Sequence, residues 1–281
     1  PRWIVDELFA TGDSLHDVAS FMKASNEPAP VFFTVNAVKA DEDEVIANLL
    51  AAGIETRHGG VDEEAFGKLP VAFSHRLENP ADVAAPTFRA LIDEGILIIS
   101  DAAAQAIALL ALPENPPTSM LEVGAGRGTK TLLLQSAAHR RFGHQVPLVS
   151  IDNRNFKADL LKSRLETYGA TDTEVLAADA TELDAVFPGR TFDTIFIDAP
   201  CSGLGTLRRH PEIRWRLTPE DITTLADLGL SLLVSASRHL SAGGVITYAT
   251  CTNTVAETTE LVERFLASPN GVSFRIRPQT P

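Results

Sequence analysis

Cysteine is scarce in this chain of 281 residues, which contains only Cys201 and Cys251. No Cys-x-x-Cys motif is present and no histidine stands at metal-ligand spacing, so neither a disulfide framework nor a zinc site is expected. We therefore predict no bound metal. Because free thiols are typical of reducing compartments, we also predict a cytoplasmic location.

Long apolar runs and a signal peptide are also missing. No stretch approaches the ~18 apolar residues that a membrane-spanning helix needs, and the first residues lack the basic and apolar regions of a secretory signal. We therefore expect no membrane partner, and we expect a monomer. The sequence lacks an initiator methionine, so it is expected to be a piece of a longer protein.

Basic residues are outnumbered, which gives a net charge of −13 and argues against nucleic acid as a partner. The deficit is concentrated in the first hundred residues, which carry 17 acidic and 7 basic side chains. Residues 208–216, RRHPEIRWR, instead contain four arginines and one glutamate. Any basic surface is therefore expected to be local.

From about residue 118 onward, strand-like runs alternate with helix-like runs. This order predicts an α/β domain with a mostly parallel sheet, whose ligands bind at the carboxyl ends of the strands. Residues 1–98 are less regular, with a strand candidate in VFFTVNAV and a helix capped by Asp41 in DEDEVIANLLAAG. We therefore predict a small α+β domain over 1–98 and the α/β domain over 99–281.

A glycine-rich loop, LEVGAGRGTKT, occupies residues 121–131 between a predicted strand and a predicted helix. It fails the mononucleotide pattern because Thr129 replaces the glycine before Lys130 and Thr131. It also fails the dinucleotide pattern because its glycines stand at 124, 126 and 128. The loop alone leaves a plain strand-to-helix turn open.

Four carboxylates, Glu122, Asp152, Asp179 and Asp198, end or directly follow four successive predicted strands. Each alone is compatible with a helix cap. As a set they are harder to explain in that way, and Asp152 stands 24 positions past Gly128, a spacing suited to binding ribose hydroxyls. A glycine turn with carboxylates and no pyrophosphate pattern favours a ligand with a ribose and a positive charge. We therefore predict S-adenosylmethionine as the cofactor.

The two cysteines follow neighbouring strand ends, Cys201 in DAPCSGLG and Cys251 in YATCTN. Free cysteines are more often small buried hydrophobes. Two of them beside Asp198 at the predicted ligand edge favour a thiol-dependent reaction instead. Methylation of pyrimidine carbon 5 needs a thiolate that adds to carbon 6 and an acid near ring nitrogen 3. The residues alone leave open which thiol is the nucleophile.

At these residues the chain resembles the Sun/Fmu (RsmB-like) family of RNA cytosine-5 methyltransferases. LEVGAGRGTKT resembles the family's cofactor loop, FDTIFIDAPCSGLGTLRRHPEIRWR its most characteristic block, and GGVITYATCT its second cysteine motif. IISDAAAQAIALLAL, PRWIVDELF and FFTVNAVKADEDEVIANLLAAGI resemble the preceding segments. The resemblance implies a Rossmann-like S-adenosylmethionine-dependent methyltransferase sheet with a small N-terminal α+β domain that binds RNA.

The resemblance also implies roles for individual residues. Cys251 is the implied nucleophile and Cys201 assists release of the product, while Asp152 binds the ribose, Asp179 the adenine and Asp198 both the methionine end and the target base. The residues implied to wrap the cofactor are Gly124, Ala125, Gly126, Arg127, Gly128, Thr129 and Lys130. The residues expected to contact RNA are Arg208, Arg209, His210, Arg214, Trp215 and Arg216. A solvated loop with a core tryptophan is the alternative for this last set.

The expected substrate is cytosine in structured RNA, with 16S ribosomal RNA preferred and transfer RNA as the alternative. Two other hypotheses stay open, a methyltransferase for small molecules or proteins with inert cysteines, and a non-catalytic RNA-binding factor. They are raised by the acidic charge and by departures from the family pattern. Glu122 replaces an aspartate, 126–129 replace Ala-Pro-Gly-Gly, Thr34 replaces an arginine, and 256–258 replace Glu-Glu-Asn. The family's closing strand is also expected to be missing, which would leave an open sheet edge.

Overall fold

The structure, a computed structural model, describes residues 1–59 and 73–277. The first part forms a four-stranded antiparallel sheet in the order β2-β3-β1-β4, and its elements include the strand and the helix expected there. Asp41 caps that helix by accepting a hydrogen bond from the Glu44 N–H at 3.1 Å. The elements are α1 (Arg2–Ala10), α2 (Leu15–Ala24), β1 (Phe32–Val35), α3 (Glu42–Ala51), β2 (Thr56–His58), β3 (His75–Leu77), a 3-10 helix (Pro80–Ala84), α4 (Pro86–Asp93) and β4 (Leu97–Ile99).

The second part forms a five-stranded parallel sheet in the order β7-β6-β5-β8-β9. The predicted α/β class is therefore confirmed. Its longer elements are α5 (Ala102–Ala111), β5 (Met120–Val123), α6 (Thr129–Phe142), β6 (Leu148–Asp152), α7 (Asn155–Tyr168), β7 (Thr173–Ala177), β8 (Phe192–Asp198), α10 (Pro219–Ser237), β9 (Leu240–Ala249) and α11 (Thr259–Ala267). Two single-turn helices are α8 (Leu183–Val186) and α9 (Ile213–Arg216).

The parallel sheet is buried on both faces, which explains why its strands are apolar at consecutive positions. On one face α5, α6 and α7 contribute residues such as Ala108, Leu134 and Leu161 to the core. On the other face α10 and α11 contribute Leu233 and Phe265. Since each face is covered by helices, alternating polar positions are not required along the strands.

Strand order fixes where a ligand can bind. The chain turns outward in opposite directions from β5 and β8, and the two strands are parallel neighbours with Val123 beside Ile197. The loops that follow them therefore diverge and leave a crevice at their carboxyl ends. Both the glycine loop and Asp198 stand at this crevice.

The helices α1 and α2 pack against the segment that follows β8. Ile4, Leu8 and Val18 form one buried cluster with Leu204 and Leu207, a few residues after Cys201. The N-terminal residues thus contact the predicted catalytic region directly, although they precede the small sheet in sequence. The division between 1–98 and 99–281 stays a prediction.

Two further features bear on the predictions. No strand pairs with the outer side of β9 within 1–59 and 73–277, so β9 is an edge of the described sheet. In the same part of the chain, no helix combines the length and the apolar character that crossing a membrane requires.

Candidate active site

The glycines of the loop serve different purposes. Gly124, Gly126 and Gly128 all have positive φ, between 59° and 84°, which L side chains rarely adopt. A Cβ at Gly124 would lie 2.2 Å from the Asp198 carbonyl oxygen, and a Cβ at Gly128 would lie 2.2 Å from Leu161 Cδ1. At Gly126 the nearest atom would be 3.8 Å away. Two glycines therefore allow close packing, whereas a Cβ at the third would make only an ordinary van der Waals contact.

Asp152 joins the end of β6 to the glycine loop. Its Oδ2 accepts hydrogen bonds from the Gly126 N–H (3.0 Å) and from Lys157 Nζ (3.2 Å), and its Oδ1 accepts from the Arg154 N–H (3.0 Å). The residue is only 8% exposed. Its orientation is thus fixed, and the remaining lone pairs of the carboxylate can accept from a ligand hydroxyl.

Asp179 follows β7 and is exposed. Its Oδ1 accepts hydrogen bonds from the Thr181 N–H (2.9 Å) and hydroxyl (2.7 Å), and these bonds lower the pKa of the carboxyl. Asp179 therefore caps the short turn that follows it, which is the structural alternative considered for a strand-end aspartate. Its predicted contact with adenine stays a prediction.

Glu122 lies beneath the loop and is fully buried. The hydroxyls of Thr131 and Ser150 each donate to its Oε2 at 2.6 Å, whereas Oε1 has no hydrogen-bond partner among the described residues. Burial raises the pKa of Glu122 to about 7, against the lowering effect of the two hydroxyls. Of the four strand-end carboxylates, this one has an unsatisfied oxygen inside the protein.

Lys130 and Asp198 form an ion pair at the crevice, with Nζ 2.6 Å from Oδ2. Lys130 stands in the first turn of α6 and Asp198 ends β8. Burial raises the pKa of Asp198, and the ammonium of Lys130 opposes that rise. Sequence reasoning identified both residues but did not predict that they would pair.

The two thiols lie side by side. Cys201 Sγ is 3.2 Å from Cys251 Sγ, and the Cys251 N–H donates to Cys201 Sγ at 3.3 Å. Cys251 is exposed and Cys201 is half-buried, so the alternative that both are buried hydrophobes is wrong. Either sulfur can donate in the bond between them. With Cys201 as the donor, the bond lowers the pKa of Cys251, and the same bond together with burial raises the pKa of Cys201. The assignment of Cys251 as the nucleophile stays a prediction.

A buried glutamate that sequence reasoning did not assign to the site connects the two cysteine loops. Glu257 accepts hydrogen bonds from the Ser202 N–H and hydroxyl, both at 2.6 Å, and from the Thr254 hydroxyl at 2.7 Å. One signal was available, since 257 is the position at which the family's Glu-Glu-Asn pattern still matches.

The arginine-rich segment, residues 208–216, is partly exposed to solvent and partly bonded to other segments of the chain. Trp215 is 77% exposed, which excludes a core tryptophan. Arg208 contacts the carbonyl (3.2 Å) and the carboxylate (3.7 Å) of Glu27. Arg209 contacts the Asp101 carboxylate (2.7 Å) and the Pro30 carbonyl (2.8 Å). Arg214 contacts the Ser25 carbonyl (3.1 Å) and Asn26 Oδ1 (3.2 Å). Three arginines thus hold the segment against the residues after α2.

His210 and Arg216 are exposed, and His210 Nδ1 lies 3.3 Å from Glu212 Oε1. The RNA contacts assigned to the whole segment stay predictions. Among residues 1–59 and 73–277, no three His, Cys, Asp or Glu side chains are grouped so that they could hold a metal ion. The expected absence of a metal likewise stays a prediction.

The fold resembles two solved structures. The protein PH0851 superimposes with a TM-score of 0.80 at 24% identity, over 95% of this chain and 56% of that one. A methyltransferase homolog protein from Pyrococcus horikoshii superimposes with a TM-score of 0.71 at 20% identity, over 95% and 82%. These two likenesses confirm the predicted Rossmann-like α/β fold.

Sequence comparison gives the family. A family model described as 16S rRNA methyltransferase RsmB/F matches residues 108–280, and the chain belongs to this family. Ribosomal RNA small subunit methyltransferase B of Sodalis glossinidius is 33% identical over 95% of this chain and 57% of its own length. A probable ribosomal RNA small subunit methyltransferase B of Bacillus subtilis is 27% identical over 95% and 55%. The chain thus spans a little over half the length of these curated relatives.

Proposed function

We propose that the protein transfers a methyl group from S-adenosylmethionine to carbon 5 of a cytosine in structured RNA, with 16S ribosomal RNA as the substrate. The observation that carries the proposal is the pair of thiols 3.2 Å apart. An exposed thiol with a lowered pKa beside a second, protonated thiol supplies both a nucleophile and a nearby proton carrier.

The residues around the glycine loop fit the proposed cofactor. Gly126 is free of close contacts with the surrounding residues, and Asp152 presents a fixed carboxylate to a ribose. The unpartnered Oε1 of Glu122 and the Asp198 carboxylate suit a ligand with an amino group and a positive charge. When bound, S-adenosylmethionine supplies an electrophilic methyl group on a sulfonium.

Cys251 is proposed to add to carbon 6 of the cytosine. Addition moves electron density to carbon 5, which is otherwise too weak a nucleophile to accept the methyl group. The Cys251 thiolate is favoured because Cys201 donates a hydrogen bond to it. Asp198 is proposed to face ring nitrogen 3 and the exocyclic amine and to exchange a proton there, which assists the addition. Burial raises the pKa of Asp198, and the ammonium of Lys130 opposes that rise.

Cys201 is proposed to act at the end of the reaction. The proton on carbon 5 must then pass to a base, either the thiolate form of Cys201 or a water molecule. Its bonding electrons restore the double bond between carbons 5 and 6, and the bond between carbon 6 and Cys251 breaks, which returns Cys251 as a thiolate. Cys201 lies close enough to Cys251 to exchange a proton with it. The target base must leave its stacked position to reach these groups. The exposed Trp215 is proposed to stack on a neighbouring base, with the arginine-rich segment along the phosphates.

Ribosomal RNA as the substrate rests on the family description and on the names of relatives such as the Sodalis glossinidius protein. The test is methyl transfer from labelled cofactor to small-subunit ribosomal RNA, with mapping of the methylated base. Transfer to transfer RNA alone, or to no RNA, would overturn the substrate assignment.

The chemistry is tested with RNA that carries 5-fluorocytosine, because fluorine blocks the last elimination and leaves a stable adduct. Wild-type protein is expected to form a covalent complex, and Cys251→Ser is expected to form none. Cys201→Ser is the matched variant. It is expected to form the adduct with 5-fluorocytosine RNA as the wild type does, and to accumulate adduct with unmodified RNA because release slows. If Cys251→Ser transfers methyl groups at the wild-type rate, the nucleophile is misassigned.

A further inference from the structure

The carboxylate of Glu257 lies between the loops that carry the two thiols. Glu257 is 1% exposed and stands just before α11. Each hydrogen-bond donor to it belongs to one of these loops, Ser202 directly after Cys201 and Thr254 three residues after Cys251. Ser202 and Thr254 are themselves 2% and 1% exposed. The contact is therefore an internal link between two segments that are distant in sequence.

Further bonds between the loops support the same link. The hydroxyls of Ser202 and Thr252 are 2.7 Å apart, and the Gly205 N–H donates to the Cys251 carbonyl at 3.0 Å. A Cβ at Gly205 would lie 2.8 Å from that carbonyl oxygen, so the loops approach closely only because this residue is glycine. The residues next to each thiol are thus fixed by the opposite loop.

Glu257 accepts three hydrogen bonds, two of 2.6 Å and one of 2.7 Å. Removing its carboxylate would leave the buried Ser202 N–H without an acceptor, and an unsatisfied buried donor disfavours the conformation that contains it. The loop would relax to bring that N–H to another partner. Cys201 is the adjacent residue and would move with it.

We propose that Glu257 is a positioning residue, whose carboxylate holds the Cys201 loop against the Cys251 loop and keeps the two sulfurs in contact. Glu257 acts through Ser202 and does not touch the reacting atoms. The catalytic consequence rests on the proposed function, whereas the positioning of the thiols does not. The two are therefore measured separately.

The first measurement needs neither RNA nor cofactor. Diamide removes one hydrogen from each thiol and is itself reduced, while the two sulfurs form a disulfide after approaching from 3.2 Å to about 2.05 Å. Disulfide formation is followed by loss of free thiols and by intact mass. Glu257→Ala is expected to slow it by at least about tenfold, because small misplacements of reacting groups cost large factors in rate.

Two variants serve as references. Glu263→Ala removes an exposed carboxylate from α11 and is expected to behave as the wild type. Glu257→Gln is expected to form the disulfide at a rate within a few-fold of the wild type. Its amide oxygen can accept from the Ser202 N–H, and the Ser202 and Thr254 hydroxyls can rotate to accept from the amide nitrogen. Thr254→Val removes a single donor, and it provides a milder test if Glu257→Ala fails to fold.

The second measurement is single-turnover methyl transfer together with S-adenosylmethionine binding. Glu257→Ala is expected to lower the transfer rate by about 100-fold and to change cofactor affinity by less than about twofold, since the shift in geometry is confined to the thiols. Disulfide formation at the wild-type rate in Glu257→Ala, or in Thr254→Val if Glu257→Ala does not fold, would overturn the positioning role. Slowed disulfide formation in a protein whose wild type methylates no RNA would uphold that role and refute the proposed function.

Discussion

The buried Glu122 makes the stability of the protein depend on pH in a way that one substitution can isolate. Its pKa is about 7 in the folded protein, compared with an ordinary value of 4.5. The folded state therefore binds the proton more tightly than the unfolded chain does. The contribution to stability is fully present below pH 4.5 and is lost as pH rises through 7.

The size of the effect follows from these two values. Between about pH 5 and about pH 8, the linkage relation gives a loss of about 2.5 kcal/mol in the free energy of unfolding from this residue alone. Glu122→Gln has nearly the same shape and does not titrate. The wild type is therefore expected to lose about 2.5 kcal/mol more than Glu122→Gln over this interval.

The assay is urea unfolding of both proteins at the two pH values, because the other titrating groups are common to both and cancel in the difference. Glu263→Gln is the matched control, and it is expected to follow the wild type because that side chain is exposed to solvent. An equal difference between wild type and Glu122→Gln at both pH values would refute the reasoning that Glu122 is buried as a neutral acid.

Three further predictions concern the loop, the RNA surface and the thiols. Gly128→Ala is expected to destabilise the protein by about 2 kcal/mol more than Gly143→Ala in urea unfolding. Both residues have positive φ, but only the added methyl at 128 would meet a side chain at 2.2 Å. Trp215→Ala is expected to weaken RNA binding by about tenfold at fixed salt, with unchanged stability, because the ring is exposed. Iodoacetamide is expected to alkylate Cys251 before Cys201, as read by peptide mass, because only Cys251 has a lowered pKa.

Each of these has a result that contradicts it. Equal destabilisation by the two glycine substitutions would mean that the close packing at residue 128 adds nothing to the free-energy cost of a side chain there. Unchanged RNA affinity in Trp215→Ala would remove stacking from the proposed interface. Faster alkylation of Cys201 than of Cys251 would reverse the assignment of the thiolate.

Much of the fold, and the grouping of the candidate site residues, could be predicted from the sequence because a parallel α/β sheet collects the ends of its strands at one edge. Once strands and helices alternate, residues such as Asp152, Asp198 and Cys251 are brought together by topology, whatever their separation along the chain. The special backbone of the glycine loop was likewise readable, since positive φ restricts residue choice.

The contacts that were not predicted depend on side chains from distant segments. Ser202 and Glu257 are 55 positions apart, and nothing in the local pattern of either indicates the other. The same holds for Arg208 and Glu27, separated by 181 positions. Periodicity reports which face of an element is buried, but it does not identify a single polar partner across the fold.

The anchoring of the arginine-rich segment sets an expectation for ionic strength. Arg208 and Arg209 each face a carboxylate of the protein's own chain, so an incoming phosphate meets charges that are already compensated. Each free cation that contacts a phosphate releases a counterion from the RNA. It thereby makes the slope of log affinity against log salt concentration steeper by about one. A slope calculated from all four arginines would therefore be steeper than the measured slope. The difference between the two slopes would give the number of arginines that keep their internal partners when RNA binds.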